Sequence, residues 1–412
     1  MARPQTAAPV ILRPAVKIII ALDKFKGSLA AAPACEIVRE ALLSVHPEWE
    51  VLIKPMADGG DGTAEALHSA RDGEWISLRV TGPLPATTMN ARYLWMDRDR
   101  TAVVEMASAS GLLLLEQPDR NPSRTTTYGT GELIHDAIGR GAKKILLGVG
   151  GSATVDGGVG AAMALGWQFL DVQGKSIGFG GGELERIVNI VPPRGCPSER
   201  SEESQLFGES AKTTETLRLA QGDNIRVEVL CDVDNPLCGP HGAARVFGPQ
   251  KGATPEMVEQ LDAGLRHLAE LVKTQLGRDL AEAPGAGAAG GLAFGATAFL
   301  NAKLIPGIDA VADAVDLDGA LRGADWVITG EGRFDEQSLR GKVVSGVAKR
   351  AAKLGVKVAV FAGSVTLVER KWRRHGIEMA LATQPGEMPL DQAMANAGQL
   401  LAERTRELAK LL

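Results

Sequence analysis

Apolar and polar positions alternate along the chain in blocks that suit a layered α/β protein. Val16 to Leu22 is apolar except at Lys17, which predicts a central parallel strand buried on both faces. The polar stretch Asp23-Lys24-Phe25-Lys26-Gly27-Ser28 follows, then a helical pattern reaching about Val45. Ser28 is a candidate cap for that helix, although Pro33 fits a start one turn later. Glu50 to Lys54 alternates as a second strand, and after the bend Met56 to Gly62 a helix is expected over Thr63 to Arg71. The same rhythm returns late in the chain. Strands are expected at Trp326–Thr329, Val356–Phe361 and Ile377–Ala382, and a helix from Val343. A closing helix is expected over Leu390 to Leu412, with Leu400, Leu401, Leu408, Leu411 and Leu412 on one face. The region between carries shorter strands, such as Ala102–Glu105 and Ile145–Val149. The pattern predicts the α/β class with two domains. One is a discontinuous Rossmann/flavodoxin-like parallel-sheet domain from residues 16–74 plus 290–412; the other is an inserted α/β domain, 75–289, with the active site in the cleft.

Length supports that division, since 412 residues exceed one ordinary core. Glycine is abundant at 49 residues and aromatics are scarce at 4%, which suits parallel sheets joined by tight loops. The net charge of −5, without a long basic run, argues against nucleic acid or a membrane surface as partner. No apolar stretch approaches the roughly 20 residues of a membrane helix. Residues 1–15 lack the continuous apolar region of a secretory signal and read as a disordered lead-in. Residues 194–223 are rich in Ser, Glu, Thr and Gly and read as a disordered surface insertion. Cys35, Cys196, Cys231 and Cys238 follow no zinc spacing and read as free thiols in a reducing compartment, so a cytoplasmic location is expected.

The chemistry is expected in the bends after the strands. No G-x-x-x-x-G-K-[ST] is present, which excludes a P-loop. Gly285 to Gly290 matches G-x-G-x-x-G, but it follows Asp279 to Pro284, which is no buried strand. A dinucleotide site is therefore set aside for a flexible inter-domain or ligand-facing loop. Lys24 and Lys26 place two ammonium groups before a helix N-terminus, a setting that favours an anion. Asp58-Gly59-Gly60-Asp61-Gly62 puts two carboxylates among three glycines. In Gly148 to Gly158, successive backbone N–H groups with the Ser152 and Thr154 hydroxyls form a candidate phosphate nest. Asp232 and Asp234 follow the strand Val227–Leu230 and project alike if strand geometry persists, as ligands of a hard cation would. Trp326 to Ile328 opens into Thr329-Gly330-Glu331-Gly332-Arg333-Phe334-Asp335, read as a glycine-rich polar loop at the carboxyl edge of a sheet. No Cys/His pairing accompanies these bends. Glycine-rich anion sites, lysines and spare carboxylates fit phosphoryl transfer, which needs positioning, Mg²⁺ and charge neutralisation.

These segments resemble the type I bacterial glycerate kinases. The likeness is carried by Ala21–Ser28, Pro55–Gly62, Tyr128–Ile134, Gly150–Thr154, Cys231–Cys238, Phe247–Gly252, Gly285–Gly291 and Thr329–Asp335. The resemblance implies ATP-dependent phosphorylation of D-glycerate, at the 2-hydroxyl, by a cytoplasmic enzyme; ATP and Mg²⁺ are the expected cofactors, and a monomer or homodimer is expected. Under that reading, Asp58, Asp61, Lys24 and Lys26 are the candidate catalytic residues, with Asp58 or Asp61 as base on the substrate hydroxyl or on the metal. Gly150, Gly151, Ser152, Thr154, Gly330, Glu331 and Gly332 are assigned to the nucleotide phosphates. Asp23, Ser28, Asp232, Asn235, Lys251 and Arg333 are assigned to the substrate, and Asp234 and Asp335 to the metal. A kinase of another short hydroxy-acid and a nucleotide-binding regulator without turnover are the alternatives.

Overall fold

The structure, a computed structural model, describes residues 16–193, 225–339 and 341–412. The lead-in 1–15 and the insertion 194–223 lie outside the described residues. In chain order the strands are β1 (Lys17–Leu22), β2 (Glu50–Ile53), β3 (Glu74–Thr81), β4 (Thr88–Met96), β5 (Thr101–Glu105), β6 (Lys144–Gly148), β7 (Gln168–Leu170), β8 (Asn189–Val191), β9 (Arg226–Leu230), β10 (Lys303–Ile305), β11 (Trp326–Phe334), β12 (Lys357–Val365) and β13 (Ile377–Ala382). The chain divides into two compact units, one running up to Pro55 and resuming over Asp316–Leu412, the other Met56–Val315.

In the discontinuous unit five parallel strands run β13-β12-β11-β1-β2. Renumbered within the unit this is the 2-1-3-4-5 order of flavodoxin-like sheets, whose ligands bind where neighbouring connections leave in opposite directions. That point here is between β1 and β11. Ile18, Ile20 and Leu22 alternate into a core with Val38, Leu42, Leu401 and Leu408 from the helices Ala31–Val45 and Ala397–Ala409. Ile19 and Ala21 are buried on the other face, where the helix Val343–Leu354 covers β11 and β12.

Three local expectations change. The first helix begins at Ala31, with Pro33 inside its first turn, and Ser28 is no cap: its hydroxyl donates to Phe25 O at 3.0 Å. The closing helix breaks at Asn396 into Leu390–Ala395 and Ala397–Ala409, and Leu411, past the end of the second piece, is 71% exposed. Gly330 to Phe334 is not a loop. It continues β11, with Arg333 paired to Ser364 and Phe334 to Val365. Glycine is required at 330 because a Cβ there would collide with Phe361 O on the neighbouring strand. Gly330→Ala is therefore expected to cost about 2 kcal/mol, the usual scale of overpacking, read as a lowered urea midpoint with an unchanged slope.

The contiguous unit holds a six-stranded sheet, β10-β9-β6-β5-β4-β3, in which β5, β6, β9 and β10 are parallel and β3-β4-β5 antiparallel. A separate pair, β7-β8, is antiparallel. The unit is larger than the hydrophobic pattern predicts, since it takes in 56–74 and 290–315. Physical contacts explain why. The Asp58–Gly62 bend rests on Leu230 and Gly307, the helix Thr63–Ala70 packs on β4 and β5, and β10 extends the sheet from β9. The Gly285–Gly291 segment is likewise internal to this unit and buried from 285 to 291, not an inter-domain loop. Ala289, Gly290 and Gly291 all have positive φ (53°, 68° and 87°), a left-handed turn that presses Gly290 onto Thr154 O. Among the described residues no helix is long and apolar enough to cross a membrane.

Candidate active site

Each unit brings its own set of marked residues together at the carboxyl ends of its parallel strands. In the discontinuous unit, Asp23 leaves β1 and donates its N–H to Gly330 O at 2.9 Å, while its Oδ1 accepts the Lys24 N–H at 2.7 Å. Phe25 and Leu29 exchange backbone hydrogen bonds (2.8 and 3.0 Å), which folds Lys24 to Ser28 into a small loop with Lys26 and Gly27 exposed at its tip. Gly332 lies against that loop: a Cβ there would sit 3.3 Å from Lys26 N. Asp23, Lys24, Lys26, Ser28, Gly330 and Gly332 thus meet at the β1/β11 switch point. Glu331 is buried beside them in β11. Arg333 is exposed and pairs with Asp335 (Nε to Oδ2, 3.4 Å). The other Asp335 oxygen accepts the Gln337 N–H at 2.9 Å, so this carboxylate organises its own turn.

In the contiguous unit, the Asp58–Gly62 bend and the Gly148–Thr154 bend lie on one another. A Cβ at Gly150 would stand 2.8 Å from Gly60 Cα, and one at Gly151 would stand 2.9 Å from Asp61 Oδ1. Asp58 Oδ1 accepts the Gly60 N–H at 3.2 Å, and Asp58 O abuts Gly307. Asp232 reaches the same place, its Oδ1 accepting the Gly307 N–H at 2.9 Å. Strand geometry does not persist to Asp234, because β9 ends at Leu230; Asp232 and Asp234 lie in an exposed irregular segment. Asn235 is spent on local structure, donating to His241 O (2.8 Å) and accepting from Gly287 N–H through its carbonyl (3.0 Å).

The nest has a polar floor. Gly150 and Gly151 are accessible, but Ser152 and Thr154 are buried. Lys251 comes from a short 3₁₀ turn, Pro249–Lys251, and buries its whole side chain beneath them. Its Nζ donates to Ser152 Oγ at 2.5 Å and to Thr154 O at 2.8 Å. Burial pushes its pKa down to about 7, with the Asp156 carboxylate opposing the shift. Asp156 is fully enclosed. It accepts from Thr127 N–H and Oγ1 (2.8 and 2.9 Å) and from the N–H groups of Gly158 and Gly160 (3.1 and 3.3 Å), while burial holds its pKa above the ordinary value. The Thr154 hydroxyl is buried without a hydrogen-bond partner.

One acid escaped the reading of motifs. Glu105 closes β5 opposite Gly148, mostly buried, with Oε1 accepting the N–H groups of Thr63 and Ala64 at 2.8 and 3.2 Å. Burial and then the nearby Glu65 push its pKa up to about 7; Asp61 adds to the rise, and the two N–H groups oppose it. The signal in the sequence is slight: a charged residue ending the otherwise apolar run Ala102–Val104.

The donor chemistry suits Mg²⁺ only in part of the site. Carboxylate oxygens at Asp58, Asp61, Asp232 and Asp234 are the hard donors this ion takes. Among the described residues no three His, Cys, Asp or Glu side chains form a cage. Mg²⁺ in phosphotransferases is commonly held by one or two carboxylates together with phosphates and water, so a cage is not required.

A flavodoxin-like sheet with lysines at its switch point, and a second sheet carrying carboxylates on a glycine nest, define an α/β enzyme of the phosphotransferase kind. The chain belongs to the glycerate kinase family, whose pattern it matches over residues 18–412. It is 43% identical over 394 residues to a glycerate kinase of Bacillus subtilis (strain 168), covering 96% of this chain and 97% of that one. It is 39% identical over 397 residues to a glycerate 2-kinase of Escherichia coli (strain K12), covering 96% and 98%. A crystal structure from Salmonella typhimurium LT2, provisionally described as glycerate kinase 2, superposes with a TM-score of 0.81 at 40% identity, covering 96% of this chain and 98% of that chain.

Proposed function

We propose that this glycerate kinase transfers the γ-phosphoryl group of ATP to the 2-hydroxyl of D-glycerate. The observation that carries the reading is the seating of Asp61 on the Gly150–Gly151 bend, which sets a carboxylate beside backbone that a phosphate can approach closely. Asp61, with Asp58 beside it, takes the proton from the substrate hydroxyl. The hydroxyl oxygen then bonds to the γ-phosphorus, and ADP leaves with the electrons of the broken P–O bond. Gly150 and Gly151 offer main chain to the phosphates, with Ser152 and Thr154 steadied from below by Lys251. Lys24 and Lys26, at the β1/β11 switch point, supply positive charge that favours an anion. Mg²⁺ bound with the nucleotide would neutralise phosphate charge, and Asp58, Asp61, Asp232 and Asp234 are the carboxylates that would hold it. Asp335, tied to Arg333 and Gln337, is the weaker of the two residues first assigned to the metal. The free thiols of Cys35, Cys231 and Cys238 suit a cytoplasmic setting.

Phosphorus NMR of the product formed from D-glycerate and Mg-ATP is the test. A 2-phosphoglycerate resonance with stoichiometric ADP is expected. A 3-phosphoglycerate resonance overturns the regiochemistry, and ATP binding without glycerate-dependent ADP release overturns turnover itself.

A further inference from the structure

The bend that carries Asp58 and Asp61 has no side-chain cap of its own. Gly62, at the start of the helix Thr63–Ala70, has φ 88° and nothing to offer the first N–H groups. The Thr63 N–H has a longer bond to Gly60 O (3.2 Å), and Glu105, 42 residues away in sequence from Thr63, supplies the shorter one (2.8 Å) from β5, the same oxygen also accepting the Ala64 N–H. Thr63 in turn donates its hydroxyl to Gly60 O at 2.6 Å. The links run Glu105 to Thr63 to Gly60, and Asp61 sits inside the bracket they close. Gly148 lies against that bracket: a Cβ there would stand 3.1 Å from Gly59 O, a tight approach, and 3.5 Å from the Glu105 side chain. This arrangement runs against the electrostatics of the place. Glu105 is largely buried and faces two further acids, Glu65 and Asp61, and Glu65 is itself occupied by Arg92 at 3.0 Å. A carboxyl serving only to fill space is more cheaply replaced there by an amide or an apolar group.

We propose that Glu105 is a positioning residue for phosphoryl transfer: by capping the helix Thr63–Ala70 it sets Asp61 against the Gly150–Gly151 bend. The inference rests on the kinase reading above, and the parental enzyme is its control. What matters under this proposal is an acceptor at the Oε1 position. Glu105→Gln keeps one and is expected to retain kcat within about three-fold. Glu105→Leu, of similar volume, removes it and is expected to lower kcat about 10²-fold, the scale of a small misplacement of a reacting group, while the KM for ATP moves less than about two-fold. Glu105→Asp, one methylene short, guards against a Leu variant that fails to fold and is expected to lose about ten-fold in kcat. Parental kcat in a folded Leu variant, or in the Asp variant, overturns the proposal. So does a Gln variant as impaired as Leu, because the amide still offers the acceptor. A parental enzyme without glycerate-dependent ADP release instead removes the kinase reading and leaves the capping geometry untouched.

Discussion

Asp61→Asn is expected to lower kcat by about 10²–10⁴-fold, the range for losing a positioned general base. Two carboxylates share the bend, but they are differently employed. Asp58 accepts the Gly60 N–H and presses its carbonyl on Gly307, so much of its work is to shape the chain. Asp61 points its oxygens at Gly151, where a phosphate would lie against the main chain. Asp58→Asn keeps the Oδ1 acceptor for the Gly60 N–H and leaves the main-chain contact with Gly307 untouched, so it tests the charge on the bend, whereas Asp61→Asn tests the carboxylate at Gly151. Steady-state ADP release with saturating D-glycerate, beside urea unfolding of each variant, separates the two. If both variants turn over at the parental rate, neither carboxylate is the base.

Lys251→Met is expected to divide stability from activity. The lysine is enclosed, and its pKa falls from 10.5 to about 7 because burial disfavours the ammonium. The folded value lies below the unfolded one, so the unfolded chain binds more protons between them. This residue's contribution is complete above about pH 10.5 and is lost as pH falls through 7. Relative to Lys251→Met, the parent should gain about 2 kcal/mol between pH 7 and 9. Equal pH slopes for the two proteins would remove the buried-lysine account. Activity should move the other way. Without Nζ, Ser152 Oγ and Thr154 O lose their shared donor, and kcat/KM for ATP should fall about 10²-fold as the nest loosens.

The sheet of the discontinuous unit was legible because its parallel strands announce themselves as largely apolar runs. Val16–Leu22 and Ile377–Ala382 appear as β1 and β13 nearly unchanged, and the helix expected from Val343 begins there. The unit boundary was not legible, because Thr63–Ala70 looks like any helix after any strand. Its allegiance is set by Glu105, 42 positions from Thr63 and 41 from Ala64, which pattern alone does not connect. Gly330 to Phe334 misled for a related reason. Its composition is that of a bend, but Ser364 and Val365 supply partners across the sheet and the main chain stays extended. The loops of the candidate site stand out in the sequence by glycine and carboxylate content; the residues that hold them do not. Lys251 is indistinguishable in sequence from a solvated lysine until Ser152 and Thr154 are seen around it. The order of interest among the acids, too, depended on whom each one faces.

The strand order has a consequence for biosynthesis. β1 lies between β2 and β11, and β11 is made only after the whole of Met56–Val315. On the ribosome, the contiguous unit emerges complete and can close by itself. The earliest strand meanwhile waits with one edge unpaired until Trp326–Phe334 arrives, an interval in which a chaperone or a neighbouring nascent chain competes for it.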